Sequence, residues 1–504
     1  MTYTPFGSQA DVINSTAPVT VVLGGAGTGK TTTAAAAAAA FIKAADDSRD
    51  LQRHNMISAG IVAPLPPRAR VLFLSFSRTA VSQVIDRAAP VVGMFFQRID
   101  IVTFDGFAWR IINDWGSGYG FPKPLRIQSE AERKVPGSPV GGMRYADLIP
   151  SALDILKNEA VSGYYDRRYS LVICDEFQDT DAEEWQFLQS VAPSARRILL
   201  CDANQCIYAE LKGIDPEERI ADAMQLPGAV AVDLPSVSHR DKSGILPAAA
   251  DAARERRFDD DALIAAITSR RLVVTRVDES TRDSRVVELV EAERASKRTV
   301  SIFTHTNAST TALSDALTDA GVRHEQVGLS EAYGEALNAQ AAMLRYAIDG
   351  ASGRRAFAVF VASNYRANTP LIHQIMDRSN AAFERALKGF TRDLHAAANP
   401  LDVERLADVI TGSYARLGTH RGQQTWIEAA RRTRAAMRPL GEGEPFSAVE
   451  AELERVRHSA LVGEAGLRPH RVQVMNLHQT KGREADSTIL VLPELAHPSV
   501  QVVR

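Results

Sequence analysis

One short segment constrains this chain more than any other. Gly24-Gly25-Ala26-Gly27-Thr28-Gly29-Lys30-Thr31 fits the pattern G-x-x-x-x-G-K-[ST]. The β-branched run Val19-Thr20-Val21-Val22-Leu23 precedes it, and the alanine-rich stretch from Thr31 to Ala45 follows. These read as a buried strand and a helix of high intrinsic propensity. Glycines at that junction let backbone N–H groups turn inward around phosphate oxygens, and the helix start adds a positive dipole end. Lys30 then reaches β- and γ-phosphates, and the Thr31 hydroxyl binds Mg²⁺. Gly24, Gly25, Ala26, Gly27, Thr28, Gly29, Lys30, Thr31 and Thr32 form the expected nucleotide cradle. The competing reading is a glycine-rich turn without a ligand.

A nucleotide site of this kind needs carboxylates at the end of another buried strand. Leu171-Val172-Ile173-Cys174-Asp175-Glu176 offers them. Asp175 is placed to hold Mg²⁺, directly or through water, and Glu176 to act as general base on the attacking water. Alone, this acidic pair could equally cap a helix. Paired with the upstream phosphate loop, it favours a hydrolase over a passive binder.

Strands alternate with helices around these motifs. Residues 70–76, 99–103, 170–174 and 197–201 read as further strands, and 80–89 as a helix, which implies a parallel α/β sheet. Residues 46–70, polar and then Pro-rich, read as a flexible insertion. A second series has strands at 272–277, 299–304 and 487–492, with a helical stretch over about 338–457. The expected architecture is α/β, with two P-loop-type cores built on parallel sheets, each carrying a mainly helical insertion.

Composition adds exclusions. Of 504 residues, 45% are apolar and 24% charged, ordinary for a folded protein and unlike disordered, collagenous or disulfide-scaffold chains. No run nears the roughly 18 apolar residues of a membrane span, so no membrane partner is expected. The N-terminus lacks the basic and apolar regions of a secretory signal. Cys174, Cys201 and Cys206 lack zinc-finger spacing and read as buried small hydrophobes in a reducing compartment, so a cytoplasmic location is expected. The net charge of −3 gives no basic surplus, which leaves room for a local basic groove.

Asp175-Glu176-Phe177-Gln178-Asp179-Thr180 also resembles the DEFQDT signature of the UvrD/Rep/PcrA-like helicases of superfamily 1. Other segments follow in that family's order. Gln9 is similar to the Q motif, Leu74 to Ala80 to motif Ia, and Thr103 to Phe107 to Ib. Cys201 to Tyr208 is similar to motif III, Ser238-His239-Arg240 to motif IV, and Val474 to Glu484 to motif V. The stretch from Val300 to Ala308 matches the segment between IV and V.

The resemblance implies RecA-like cores at 1–110 plus 166–235 (1A) and 236–365 plus 466–504 (2A). It implies insertions at 111–165 (1B) and 366–465 (2B). It implies ATP hydrolysis coupled to 3′-to-5′ movement on single-stranded DNA and action at single-strand/duplex junctions. Gln9 would read adenine, Gln205 would sense the γ-phosphate, Arg240 would stabilise the transferring phosphoryl group, and Glu484 would contact the ribose. Phe76 and Tyr208 would stack on bases, with core packing as the alternative. Thr103 and His478 would touch the DNA backbone, His478 having a structural role as its alternative.

The chain departs from the family at several points. Ala209, Glu210 and Leu211 follow Tyr208 where an aromatic is usual, Ser238-His239 replaces Asn-Tyr, and His305 stands where Arg is common. No stretch after Glu484 resembles motif VI. The second sheet is therefore expected to lack its final strand, and unwinding to need a longer C-terminus or a protein partner that supplies a cation. A nucleotide- and DNA-binding switch without autonomous unwinding is the competing function, with a small-molecule P-loop kinase behind it. Arg421, Arg431, Arg432, Arg434 and Arg438 form either a phosphate-tracking face or a solvated, charge-balanced one.

Overall fold

The computed structural model describes residues 4–76, 78–123, 125–137, 142–206, 213–235, 237, 241, 243–326, 330–349, 353–364, 370–416, 422–462, 471–477 and 485–492. In the first half, α1 (Gln9–Asn14) leads into β1 (Val19–Leu23) and the long α2 (Lys30–Ser58). There follow β2 (Val71–Ser75), α3 (Arg78–Val92), β3 (Ile99–Thr103) and α4 (Phe104–Trp115). A small excursion holds the two-residue strands β4 (Ile127–Gln128) and β5 (Met143–Arg144), with α5 (Glu130–Lys134) between them. Then come α6 (Leu148–Leu156), α7 (Glu159–Arg168), β6 (Leu171–Cys174), α8 (Ala182–Ser190), β7 (Arg196–Cys201) and β8 (Ala229–Asp233).

The main sheet has the order β3-β2-β6-β7-β1-β8, and every pair in it is parallel. Alternation along the strands sorts side chains onto two apolar layers, as the two-residue period of a strand demands. Val21, Leu72, Leu74, Val172, Cys174, Leu199 and Cys201 face α4, α6 and α8. Val22, Val71, Phe73, Leu171, Ile173, Ile198 and Leu200 face α2 and α3. On that second face, Ala34, Ala35, Ala37 and Ala38 of α2 are buried with Ile42, and their small side chains let the helix lie close to the sheet. Caps fix helix starts: Thr103 accepts from Gly106 N at α4, and Asp181 and Glu184 form a reciprocal capping box at α8.

A second parallel sheet, β10-β11-β9-β12, contains β9 (Val300–Thr304), β10 (Glu325–Gln326), β11 (Val472–Asn476) and β12 (Ser487–Val491). The helices Glu279–Ala295 and Asn307–Asp319 pack on it through Val286, Val290, Leu313 and Leu317. Among the described residues β12 is an edge strand. Between Ser330 and Val462 the chain forms a helical bundle around Trp426, Tyr414, Phe357 and Phe360.

Two expectations are corrected. Residues 46–58 are not a flexible insertion; they continue α2. Residues 272–277 form no strand: among the described residues no strand pairs with them, and Val273 and Val274 stand exposed. β-branched residues favour a strand only where a partner strand is available. The bundle's apolar core includes residues between Ala336 and Ala362. The same core takes in Ala131 and Val135 around α5.

That last contact is charged as well as apolar. Arg457, buried to 1% exposure, bonds Glu335 at 3.0 Å and Glu454 at 3.0 Å and lies 3.8 Å from Glu132. Glu132 also receives Arg126 at 2.6 Å and Arg355 at 3.7 Å. Carboxylates this deeply buried persist as charges only when paired, so the network ties α5 to the bundle. Of the basic residues on the bundle, Arg432 pairs with Glu452, and Arg434 with Glu404 and Asp408. For these two the charge-balanced surface is what the structure contains. Arg421 lies outside the described residues.

Candidate active site

Parallel strands bring their C-terminal ends to one edge of the main sheet, and the signature residues gather there. Leu23 is in register with Cys201 and with Asp233. The phosphate loop therefore leaves β1 between the ends of β7 and β8. Gly24 N donates to Cys201 O at 3.2 Å, which anchors the loop to the sheet. Gly27 and Gly29 have φ of 78° and 86°, left-handed values that favour glycine. At Gly24 a Cβ would meet Thr28 Oγ1 at 2.7 Å, so the close approach there also requires glycine.

Lys30 Nζ donates to Gly24 O at 2.6 Å and Gly25 O at 3.0 Å, and pairs with Asp202 Oδ2 at 3.4 Å. The ammonium thus curls over the loop where phosphate oxygens would lie. Gln9 is buried. Its Nε2 donates to Thr28 O at 3.1 Å, and its Oε1 accepts from Phe6 N at 2.9 Å, so it buttresses the loop from behind.

Asp175 follows β6, separated from β1 by β7 alone. Thr31 Oγ1 donates to Asp175 Oδ2 at 3.3 Å. A hydroxyl and a carboxylate this close fit a shared divalent cation, and oxygen donors are what Mg²⁺ takes. Glu176 adopts φ 56° and ψ 40°, left-handed for a residue with a side chain. Strained backbone of this kind concentrates at functional positions.

Two residues that sequence reasoning had not singled out complete the cluster. Asp202 ends β7 as Asp175 ends β6. It accepts from Lys30, and its Oδ2 also accepts from Gln205 Nε2 at 2.7 Å. Burial holds its carboxyl above the ordinary range, outweighing the nearby Lys30 ammonium. Gln178 is fully buried. It donates through Nε2 to Glu176 Oε2 at 2.9 Å and accepts through Oε1 from Asp202 N at 3.0 Å. A carboxyl group directly after a buried strand was the signal available for Asp202.

Of the expected DNA contacts, Phe76 and Thr103 fall among the described residues. Phe76 is half-buried, 5.0 Å from the Phe104 ring, against the core layer of α4. Thr103 is buried and its hydroxyl caps α4. Tyr208, Arg240, His478 and Glu484 lie outside the described residues, as do Ser238, His239 and 209–211. Cys174 and Cys201 are buried, and burial pushes both thiols well up, which suits packing and not thiolate chemistry. No described helix is long and apolar enough to cross a membrane.

No curated protein matches the chain. Residues 9–210 match a protein-family model described as an AAA domain, a P-loop helicase-like domain of the kind found in UvrD/Rep family members. The matched span contains the phosphate loop, Asp175, Glu176, Gln178, Asp202 and Gln205, so this part of the chain is similar to a helicase-like P-loop NTPase domain.

Proposed function

We propose that this chain is an ATP-dependent DNA translocase or helicase of the UvrD-like type, moving 3′ to 5′ on single-stranded DNA in the cytoplasm. One observation supports the hydrolase part of this reading: Lys30, Thr31, Asp175, Glu176 and Gln205 converge on one edge of the main sheet, an arrangement suited to nucleotide hydrolysis. Gln9 and the cradle from Gly24 to Thr32 hold ATP. Thr31 and Asp175 would hold Mg²⁺, which would neutralise phosphate charge. Lys30 leaves Asp202 for the phosphates, Glu176 takes the proton of the attacking water, and Gln205 senses the γ-phosphate.

In this reading the sheet β10-β11-β9-β12 belongs to a second RecA-like core, with Arg240 assigned to stabilise the transferring phosphoryl group and Glu484 to contact the ribose. The segments 111–165 and 366–465 act as insertions, and residues 236–365 and 466–504 make up the second core. Single-stranded DNA and its junctions with duplex are the partners, gripped through Phe76, Tyr208 and His478. ATP turnover with and without single-stranded DNA tests the reading: a motor is stimulated, a switch binds without turnover, and a kinase ignores DNA.

A further inference from the structure

We propose that Gln178 is a positioning residue that sets the Glu176 base in register with the γ-phosphate-sensing turn at Asp202–Gln205. The inference rests on the ATPase reading above. Glu176 follows β6 and Gln205 follows β7, on separate loops that reach the same phosphate. The hydrogen bonds of the Gln178 side chain span the gap: Nε2 donates to Glu176 Oε2 at 2.9 Å, and Oε1 accepts from Asp202 N at 3.0 Å. Only one amide orientation satisfies both, because a carboxylate accepts and a backbone N–H donates. The residue is wholly buried, so its geometry is imposed by its surroundings.

The far end of the bridge bears on the nucleotide. Asp202 Oδ2 holds both Lys30 Nζ at 3.4 Å and Gln205 Nε2 at 2.7 Å. A γ-phosphate entering the cradle competes for both donors. Any shift of the Asp202 turn reaches Glu176 through a single rigid amide. At the near end the bond restrains one oxygen of a carboxylate whose backbone is already left-handed. Gln178 therefore touches neither substrate nor metal, and acts through Glu176.

The test uses the whole chain with saturating Mg-ATP and single-stranded DNA. Gln178→Met removes both hydrogen bonds at similar length. Gln178→Glu keeps an acceptor for Asp202 N–H and puts a second carboxylate against Glu176, beside Asp175, Asp202 and Lys30. For Gln178→Met, kcat falls about 10- to 100-fold, the scale of a misplaced reacting group, while KM for ATP stays within about threefold. For Gln178→Glu, kcat falls as well, because the acceptor for Asp202 N–H stays while the donor to Glu176 is replaced by a like charge. That second variant is near-isosteric and covers the case in which the Met substitution fails to fold. A kcat within about twofold of the parent, or equal losses in kcat and ATP affinity, overturns the positioning role. A parent chain without any turnover overturns the ATPase reading itself, and this inference with it.

Discussion

Replacing Asp202 by Asn tests the electrostatics of the nucleotide cradle. In the structure Asp202 Oδ2 stands 3.4 Å from Lys30 Nζ, with side-chain exposures of 3% and 10%. At an effective dielectric constant of about 20 that separation corresponds to about 5 kcal/mol of attraction before desolvation. Burial nevertheless raises the Asp202 pKa in spite of Lys30, so desolvation offsets the attraction and the pair contributes little net stability. Lys30 can leave it at small cost. Repulsion between the carboxylate and the incoming phosphate remains. A phosphate charge on the far side of Lys30 lies about 6 Å away, worth about 0.7–2.8 kcal/mol for dielectric constants of about 80 to 20.

Asn keeps the acceptor that caps Asn204 N and removes the charge. Asp202→Asn is therefore expected to bind Mg-ATP about tenfold more tightly, equivalent to about 1.4 kcal/mol. Titration with a fluorescent nucleotide reads this directly. The sign of the stability effect follows from the same pKa. A carboxyl raised in the folded state contributes stability below its unfolded pKa and loses it as pH rises through the folded value. The Asn variant should then melt higher than the parent at neutral pH and match it in acid. Unchanged or weaker ATP binding would refute the electrostatic account.

Three further outcomes are expected. Arg457→Met leaves Glu335 and Glu132 buried beside a lost cation and should cost about 3–5 kcal/mol in urea unfolding; a loss below about 1 kcal/mol, the scale of a surface pair, contradicts the buried network. Glu428, raised to about 6 by burial and by Glu325, loses stability as pH rises through that value, so Glu428→Gln should stabilise by up to about 2 kcal/mol above pH ~7 and by nothing below pH ~4; equal melting curves at both pH values refute it. Phe76→Ala should weaken single-strand binding by about 1–3 kcal/mol if the ring carries a base; an unchanged affinity with a lower melting temperature assigns the ring to packing on Phe104 instead.

Local chemistry made the nucleotide end of this molecule legible from sequence. The turn between β1 and α2 announces itself because only closely spaced glycines permit its backbone, and the acidic pair because a buried apolar run carries it. Elements defined by their partners were less legible. β8 was missed because its residues are half-buried or exposed at the sheet edge, with no clean apolar alternation. Residues 272–277 have strand propensity and no strand to join. Helix α2 outran its expected end because the polar residues after Ala45 extend it without burying anything. The Gln178 bridge depends on residues 24 apart in sequence meeting across two loops, and no periodicity encodes that. The clustering of α5 with the bundle is likewise a tertiary fact, invisible until Glu132 and Arg457 are seen together.

The most direct measurement is steady-state ATP hydrolysis by the parent chain, Lys30→Ala and Glu176→Gln, each with and without single-stranded DNA. The account predicts turnover in the parent that rises about tenfold or more with DNA, the loss of about 2 kcal/mol or more of transition-state stabilisation in each variant, and retained ATP binding in Glu176→Gln. Parent-like hydrolysis by Lys30→Ala, or a parent indifferent to single-stranded DNA, would contradict it.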